Sequence, residues 1–109
     1  MQTPNLYQVL ARRLKQWEEA FNDFVKALCR DPNVLKAYLV GSRARGEALP
    51  YSDYDVVVVV PDGLDKLEEA VRLRRLRERP FPLDLIVIHV SEENDKLYEK
   101  MMEKARRLC

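Results

Sequence analysis

Three aspartates stand where the surrounding residues are those of buried strands. Asp53 and Asp55 lie two apart in Ser52-Asp53-Tyr54-Asp55, directly before five consecutive valines, Val56 to Val60. On an extended chain that spacing puts both carboxylates on one face, about 6 to 7 Å apart along the backbone. Asp84 interrupts the apolar run Leu83-Asp84-Leu85-Ile86. A carboxylate facing a core opposes folding unless a partner or a cation neutralises it. Three of them converging from neighbouring strands, with no matched Lys or Arg, repel one another. A divalent cation removes that conflict, and hard oxygen ligands favour Mg²⁺ or Mn²⁺. Each aspartate taken singly also fits a turn, a cap or a solvent-facing strand position.

A second candidate is Gly41-Ser42, which ends the apolar segment Val34 to Val40 and opens a short helical stretch closed by Gly46. Glycine allows close backbone approach, and a helix start offers unpaired N–H groups to a phosphate. The Ser42 hydroxyl adds a donor, and Arg43 and Arg45 add positive charge. The spacing matches neither a P-loop nor a dinucleotide fingerprint.

The elements that must position these residues follow from periodicity and punctuation. Thr3-Pro4 reads as a helix cap, and Leu10, Leu14, Trp17, Phe21, Phe24 and Leu28 form one apolar stripe on a long helix that ends near Arg30, before Pro32. The valine run reads as a central strand buried on both faces. Leu64 to Arg79 reads as a second long helix, acidic at its start and basic at its end. Leu83 to Val90 is a third strand, and Ser91 caps a last helix that places Leu97, Met101 and Leu108 on one face. The order is α-β-(short α)-β-α-β-α. This predicts one small α/β domain over residues 1–109, with a short mixed sheet packed against helices.

Composition narrows the alternatives. The 109 residues carry 19 Lys+Arg and 18 Asp+Glu, a net charge of +1, which argues against a dedicated nucleic-acid coat. The longest apolar stretch is too short to cross a bilayer. No signal-peptide pattern opens the chain, so a soluble cytoplasmic protein is expected. One histidine and two cysteines outside any Cys-x-x-Cys pair nearly exclude a Cys/His zinc site and a disulfide framework. Cys29 reads as a small hydrophobe at a helix end, and Trp17 as core, although a nucleobase could stack on Trp17 or Tyr54. His89 falls on the strand face opposite Asp84 and reads as packing or capping. The first helix carries more apolar surface than one small sheet can cover, which leaves room for a homodimer.

Taken together, Gly-Ser-Arg-Ala-Arg-Gly at positions 41–46, Ser-Asp-Tyr-Asp-Val at 52–56 and Asp84 resemble the signature of the DNA polymerase beta nucleotidyltransferase superfamily. Within it, the chain is similar to the minimal nucleotidyltransferases of prokaryotes. The resemblance spans Leu39 to Val90 and implies that Gly41 and Ser42 hold the β- and γ-phosphates of a nucleoside triphosphate. It implies that Asp53 and Asp55 hold metal, and that Asp84 completes one metal site and helps deprotonate the attacking hydroxyl. Arg43 is placed near the phosphates, with a surface arginine as its plainer reading.

Larger members of the superfamily carry an additional domain that grips the base or the acceptor, and none is expected within these 109 residues. The resemblance therefore implies an antitoxin-like protein that transfers a nucleoside monophosphate, AMP from ATP, to a hydroxyl of a helical HEPN-type toxin. Two alternatives stay open. One is a contact-only module using the basic face Leu73-Arg74-Arg75-Leu76-Arg77. The other is transfer to a small molecule or an RNA end.

Overall fold

A computed structural model describes residues 3–109. Its first element, α1 (Leu6–Cys29), starts later than Thr3-Pro4 suggests. Asn5 is the cap: its side chain accepts from the Gln8 N–H at 2.8 Å, and the Gln8 side chain accepts from the Asn5 N–H at 3.1 Å. This reciprocal box satisfies two groups that Thr3 would leave open. The stripe is buried only in its second half, at Ala20, Phe21, Phe24 and Leu28. The first half projects beyond the sheet, with Leu6 and Tyr7 73% and 80% exposed.

Four strands form one sheet: β1 (Lys36–Val40), β2 (Tyr54–Val60), β3 (Leu83–His89) and β4 (Arg106–Arg107), in the spatial order β3-β2-β1-β4. β2 pairs parallel with β3 and antiparallel with β1, so the sheet is mixed, as expected. The five valines are fully buried in this central strand. Alternation along β2 divides them. Val56, Val58 and Val60 join the main core with Phe21, Phe24 and Phe81 under α1, while Val57 and Val59 face the opposite side with Val40 and Ile88. That second face is covered only by the C-terminal segment, through Tyr98, Met101, Met102 and Ala105.

Two helices are shorter than their sequence pattern suggests. The α3 helix runs from Lys66 to Arg74, not Leu64 to Arg79. Asp65 caps its start, accepting from the Glu68 N–H at 2.9 Å. Its basic end is drawn into tertiary contacts: Arg74 donates to the Leu83 carbonyl, Arg77 to the Phe81 carbonyl, and Arg79 pairs with Asp23. The chain after β3 is not one helix capped by Ser91. A single 3₁₀ turn (Val90–Glu92) and a one-turn α4 (Lys96–Glu99) are followed by β4. The open edge of β1 explains this. Its unpaired backbone groups take up Arg106 and Arg107 opposite Leu39 and Tyr38, which satisfies them better than a last helix would. Leu97 is left 80% exposed, and Met101 and Leu108 lie on opposite faces of the sheet.

The cysteines also differ from expectation. Cys29 is not a free hydrophobe; it forms a disulfide with Cys109, joining the end of α1 to the second residue beyond β4 across a sequence separation of 80. The bond folds back a strand of only two residues that few ladder bonds hold. In the chain-entropy account a loop of this length contributes about 4.5 kcal/mol, subject to native strain.

Candidate active site

The loop between β1 and β2 brings the two sequence motifs together. Val40, the last residue of β1, pairs with Asp55 in β2, so the chain that leaves β1 at Gly41 turns directly over the Asp55 carboxylate. Gly41 holds φ at +74°, and a Cβ added there would overlap Asp55 Oδ2. Only glycine satisfies both the left-handed backbone and that approach. The α2 helix (Gly41–Arg45) starts at this point and is closed by Gly46 at φ 73°. Ser42 lies half-buried in its first turn, where helical N–H groups have no partner inside the helix.

Parallel pairing of β2 with β3 sets Asp84 directly beside Asp55. Adjacent strands are about 4.8 Å apart, and both side chains leave the sheet on the face away from α1. Asp53 precedes β2 in an exposed position, while Asp55 is half-buried and Asp84 exposed. Among the described residues none of the three carboxylates forms an ion pair. The consequence falls on Asp55, whose pKa is pushed up, first by burial and then by the negative charges of Asp84 and Asp53; Arg45 and Arg43 pull it down without cancelling the rise. An acid squeezed in this way gains from any cation that arrives.

Among the described residues no three Asp, Glu, His or Cys side chains close into a metal cage. The donors nonetheless suit Mg²⁺ or Mn²⁺. They are carboxylate oxygens in excess negative charge, and Mg²⁺ is commonly bound by one or two carboxylates together with substrate phosphates and water.

Arg43 is not turned towards these carboxylates. Its Nε donates to the Ser52 carbonyl at 3.1 Å and its Nη2 to the same oxygen at 2.7 Å and to the Pro50 carbonyl at 3.4 Å. Its guanidinium lies 3.8 Å from the centroid of the Tyr54 ring. Nothing in the spacing of Arg43 and Ser52 signals this clasp. Tyr54 faces α1, opposite the aspartates, and Trp17 lies on that helix: Tyr54 stacks on Phe21 at 4.5 Å between centroids, and Trp17 meets Tyr51 edge-on. His89 serves the other end of β3, where Nε2 is 2.7 Å from the Leu64 carbonyl.

The family follows from the sequence match that this geometry accompanies. Residues 21–109 match the nucleotidyltransferase domain family, which takes in both motifs and all four strands. The chain belongs to that family. It is a nucleotidyltransferase by this membership, and its small mixed sheet is the fold of solved relatives. One is a candidate nucleotidyltransferase from Sulfolobus solfataricus, 24% identical, with 85% of this chain and 81% of that one covered at a TM-score of 0.54. A toxin–antitoxin structure with AMP-PNP is 22% identical over 84% of this chain and 72% of that one, with a TM-score of 0.52. The toxin–antitoxin MntA-HpeT carrying two Asp-to-Glu substitutions is also 22% identical, over 81% and 71%, at 0.51. A comparison with curated proteins finds no match. No helix among the described residues is long and apolar enough to cross a membrane.

Proposed function

We propose that this nucleotidyltransferase moves AMP from ATP to a hydroxyl on a partner protein, with Mg²⁺ or Mn²⁺, as the antitoxin of a pair whose toxin is of the helical HEPN type. The observation that carries the reading is the unmatched group Asp53, Asp55 and Asp84, with Asp55 directly under the Gly41 turn and Asp84 beside it. In this assignment Gly41 and Ser42 receive the β- and γ-phosphates, and Asp53 and Asp55 hold the cation, with Asp84 completing the set. When bound, the cation neutralises charge on the triphosphate and the departing pyrophosphate. The acceptor oxygen forms a bond to the α-phosphorus as the bond to pyrophosphate breaks, and the acceptor proton passes to the Asp84 carboxylate. The carboxylate pair Asp55 and Asp84 thus orients the reacting oxygen against the phosphate that the turn presents.

Partner and compartment rest on the fold shared with the toxin–antitoxin structures and on the resemblance of the motifs. In this reading residues 1–109 act as one domain. The projecting half of α1 offers apolar surface for the partner or a second copy. The compartment in this reading is the cytoplasm, where a disulfide such as Cys29–Cys109 is uncommon outside hyperthermophiles. On the contact-only alternative's face, Arg74 and Arg77 donate to the protein's own carbonyls, while Arg75 is exposed.

Calorimetric titration of ATP with Mg²⁺ into the protein and into Asp53→Asn/Asp55→Asn tests the site. Binding that needs the metal and disappears in the variant is expected. Transfer of α-phosphate label from ATP to a co-purified partner then tests the acceptor. Equal ATP binding by both proteins would overturn the assignment.

A further inference from the structure

Arg43 sits beside the site yet its guanidinium is already occupied. Three hydrogen bonds bind it to the carbonyls of Ser52 and Pro50, at 2.7 to 3.4 Å, and the Ser52 carbonyl belongs to the peptide bond that leads into Asp53. The flat face of the same group covers Tyr54, the residue between the two aspartates, and Tyr54 is itself buried against Phe21 and Phe81. The loop it grips is also tied internally: the Ser52 N–H donates to the Leu49 carbonyl at 3.0 Å, and the Leu49 N–H to Ser52 Oγ at 2.9 Å. Two residues upstream of Arg43 lies Gly41, which closes over Asp55.

From this geometry we infer that Arg43 is a positioning residue. It fastens α2 to the peptide before Asp53, so that the Gly41–Ser42 turn and the Asp53/Asp55 pair keep one fixed relation. The inference rests on the proposed role of those aspartates in holding a cation. The chemistry requires arginine. Two adjacent carbonyls are met by a forked donor, and an aromatic ring by a planar cation; a lysine ammonium supplies neither the fork nor the plane. The role also differs in sign from a simple charge effect. Removing a positive group beside three carboxylates should tighten cation binding, whereas loss of the clasp should loosen it.

The test compares the protein with Arg43→Lys and Arg43→Met. Mn²⁺ affinity is measured without nucleotide from the electron paramagnetic resonance of free Mn²⁺. ATP and AMP affinities are taken with Mg²⁺, and hydrogen exchange is followed over residues 47–53. Both variants are expected to keep the far-ultraviolet circular dichroism of the fold. Exchange over 47–53 should rise at least fivefold, and Mn²⁺ affinity should fall at least fivefold in both, lysine giving no rescue. The ratio of ATP to AMP affinity should stay within twofold of the parent. Unchanged or tighter Mn²⁺ binding, with a loss confined to ATP, would overturn the inference and make Arg43 a phosphate ligand. Full rescue by lysine would overturn it in favour of charge alone. A parent protein that binds no Mn²⁺ would instead defeat the functional reading, before any variant is made, and exchange over 47–53 would still decide whether the clasp exists.

Discussion

Two acidic clusters lie at different places around the sheet, and the chain treats them in opposite ways. At one, Asp31 and Glu69 are largely buried, with side chains 8% and 11% exposed, and Arg72 reaches both. Arg72 Nη1 is 2.6 Å from Asp31 Oδ2, and its Nη2 is 2.7 Å from Glu69 Oε2. Hydrogen bonds from that guanidinium hold both carboxyls below their ordinary range against the opposing effect of burial. At the other, burial first and then the charges of Asp84 and Asp53 raise the Asp55 pKa. Of the arginines beside them, Arg43 is spent on the Ser52 and Pro50 carbonyls and Arg45 pairs with Glu47. The contrast shows that this fold neutralises acids that serve its structure. Leaving the other cluster unneutralised costs stability, which fits the proposed role of its aspartates in holding a cation.

The largest effect is expected where the match is complete. Arg72→Leu strands two carboxylates and should lower stability by about 2 kcal/mol, below the range for a fully buried pair because the Arg72 side chain is 41% exposed. Urea unfolding at pH 7 measures it. The pH dependence has a definite sign. Because Asp31 and Glu69 have depressed folded-state pKa values, their contribution is present above the unfolded carboxylate range and is lost as pH falls through the lower folded values. The gap between parent and variant should therefore close in acid. A variant as stable as its parent at pH 7 would mean that the pair is ornamental.

A pair of glycines separates strain from site geometry. Gly41 and Gly46 have nearly the same φ, 74° and 73°, but only at Gly41 would a Cβ meet Asp55; at Gly46 nothing lies within 4 Å. Each replacement by alanine should cost about 1 to 2 kcal/mol for the left-handed backbone. Only Gly41→Ala should also lose Mg²⁺-dependent ATP affinity, by at least tenfold, when both are titrated calorimetrically. Equal losses would show that the turn acts through α2 as a whole and not through its approach to Asp55.

Much of the site was legible because its parts are close in sequence. Gly41-Ser42 and Asp53-x-Asp55 flank one loop, and the valine run announces the strand that carries Asp55. Asp84 was legible for a different reason, as a charge amid Leu83, Leu85 and Ile86. The illegible parts depend on distant partners. No local pattern links Arg43 to the Ser52 carbonyl, since a backbone acceptor has no residue identity. The basic end of α3 satisfies helix-dipole expectations, yet Arg77 and Arg79 are held by Phe81 and by Asp23, so the helix stops at Arg74. The tail after Ser91 has apolar residues at helical spacing, but the free edge of β1 makes a stronger demand. The Cys29–Cys109 bond joins residues 80 apart, and it depends on that same returning strand.

The smallest effect has the opposite sign from the first, and for that reason it is the sharpest probe of the contrast. Asp55→Asn removes one unmatched charge while keeping shape and a hydrogen-bonding end. Without metal at pH 7 it should raise stability slightly, because the burial and repulsion that lift the Asp55 pKa act only on the ionised form. The sign follows from linkage. Between the unfolded and the raised folded pKa, the folded protein binds more protons, so the parent loses stability as pH rises through that window. The advantage of the variant should therefore be full above the folded pKa and vanish towards the unfolded one. Mg²⁺ should reverse the order, since a ligand that binds only the folded parent raises its stability by about 1.4 kcal/mol at ten times its Kd and leaves the variant unmoved. Melting curves with and without Mg²⁺ at two pH values measure all of this. A variant less stable than its parent in metal-free buffer would show that Asp55 is held by the fold for its own sake, and the difference between the two acidic clusters would be gone.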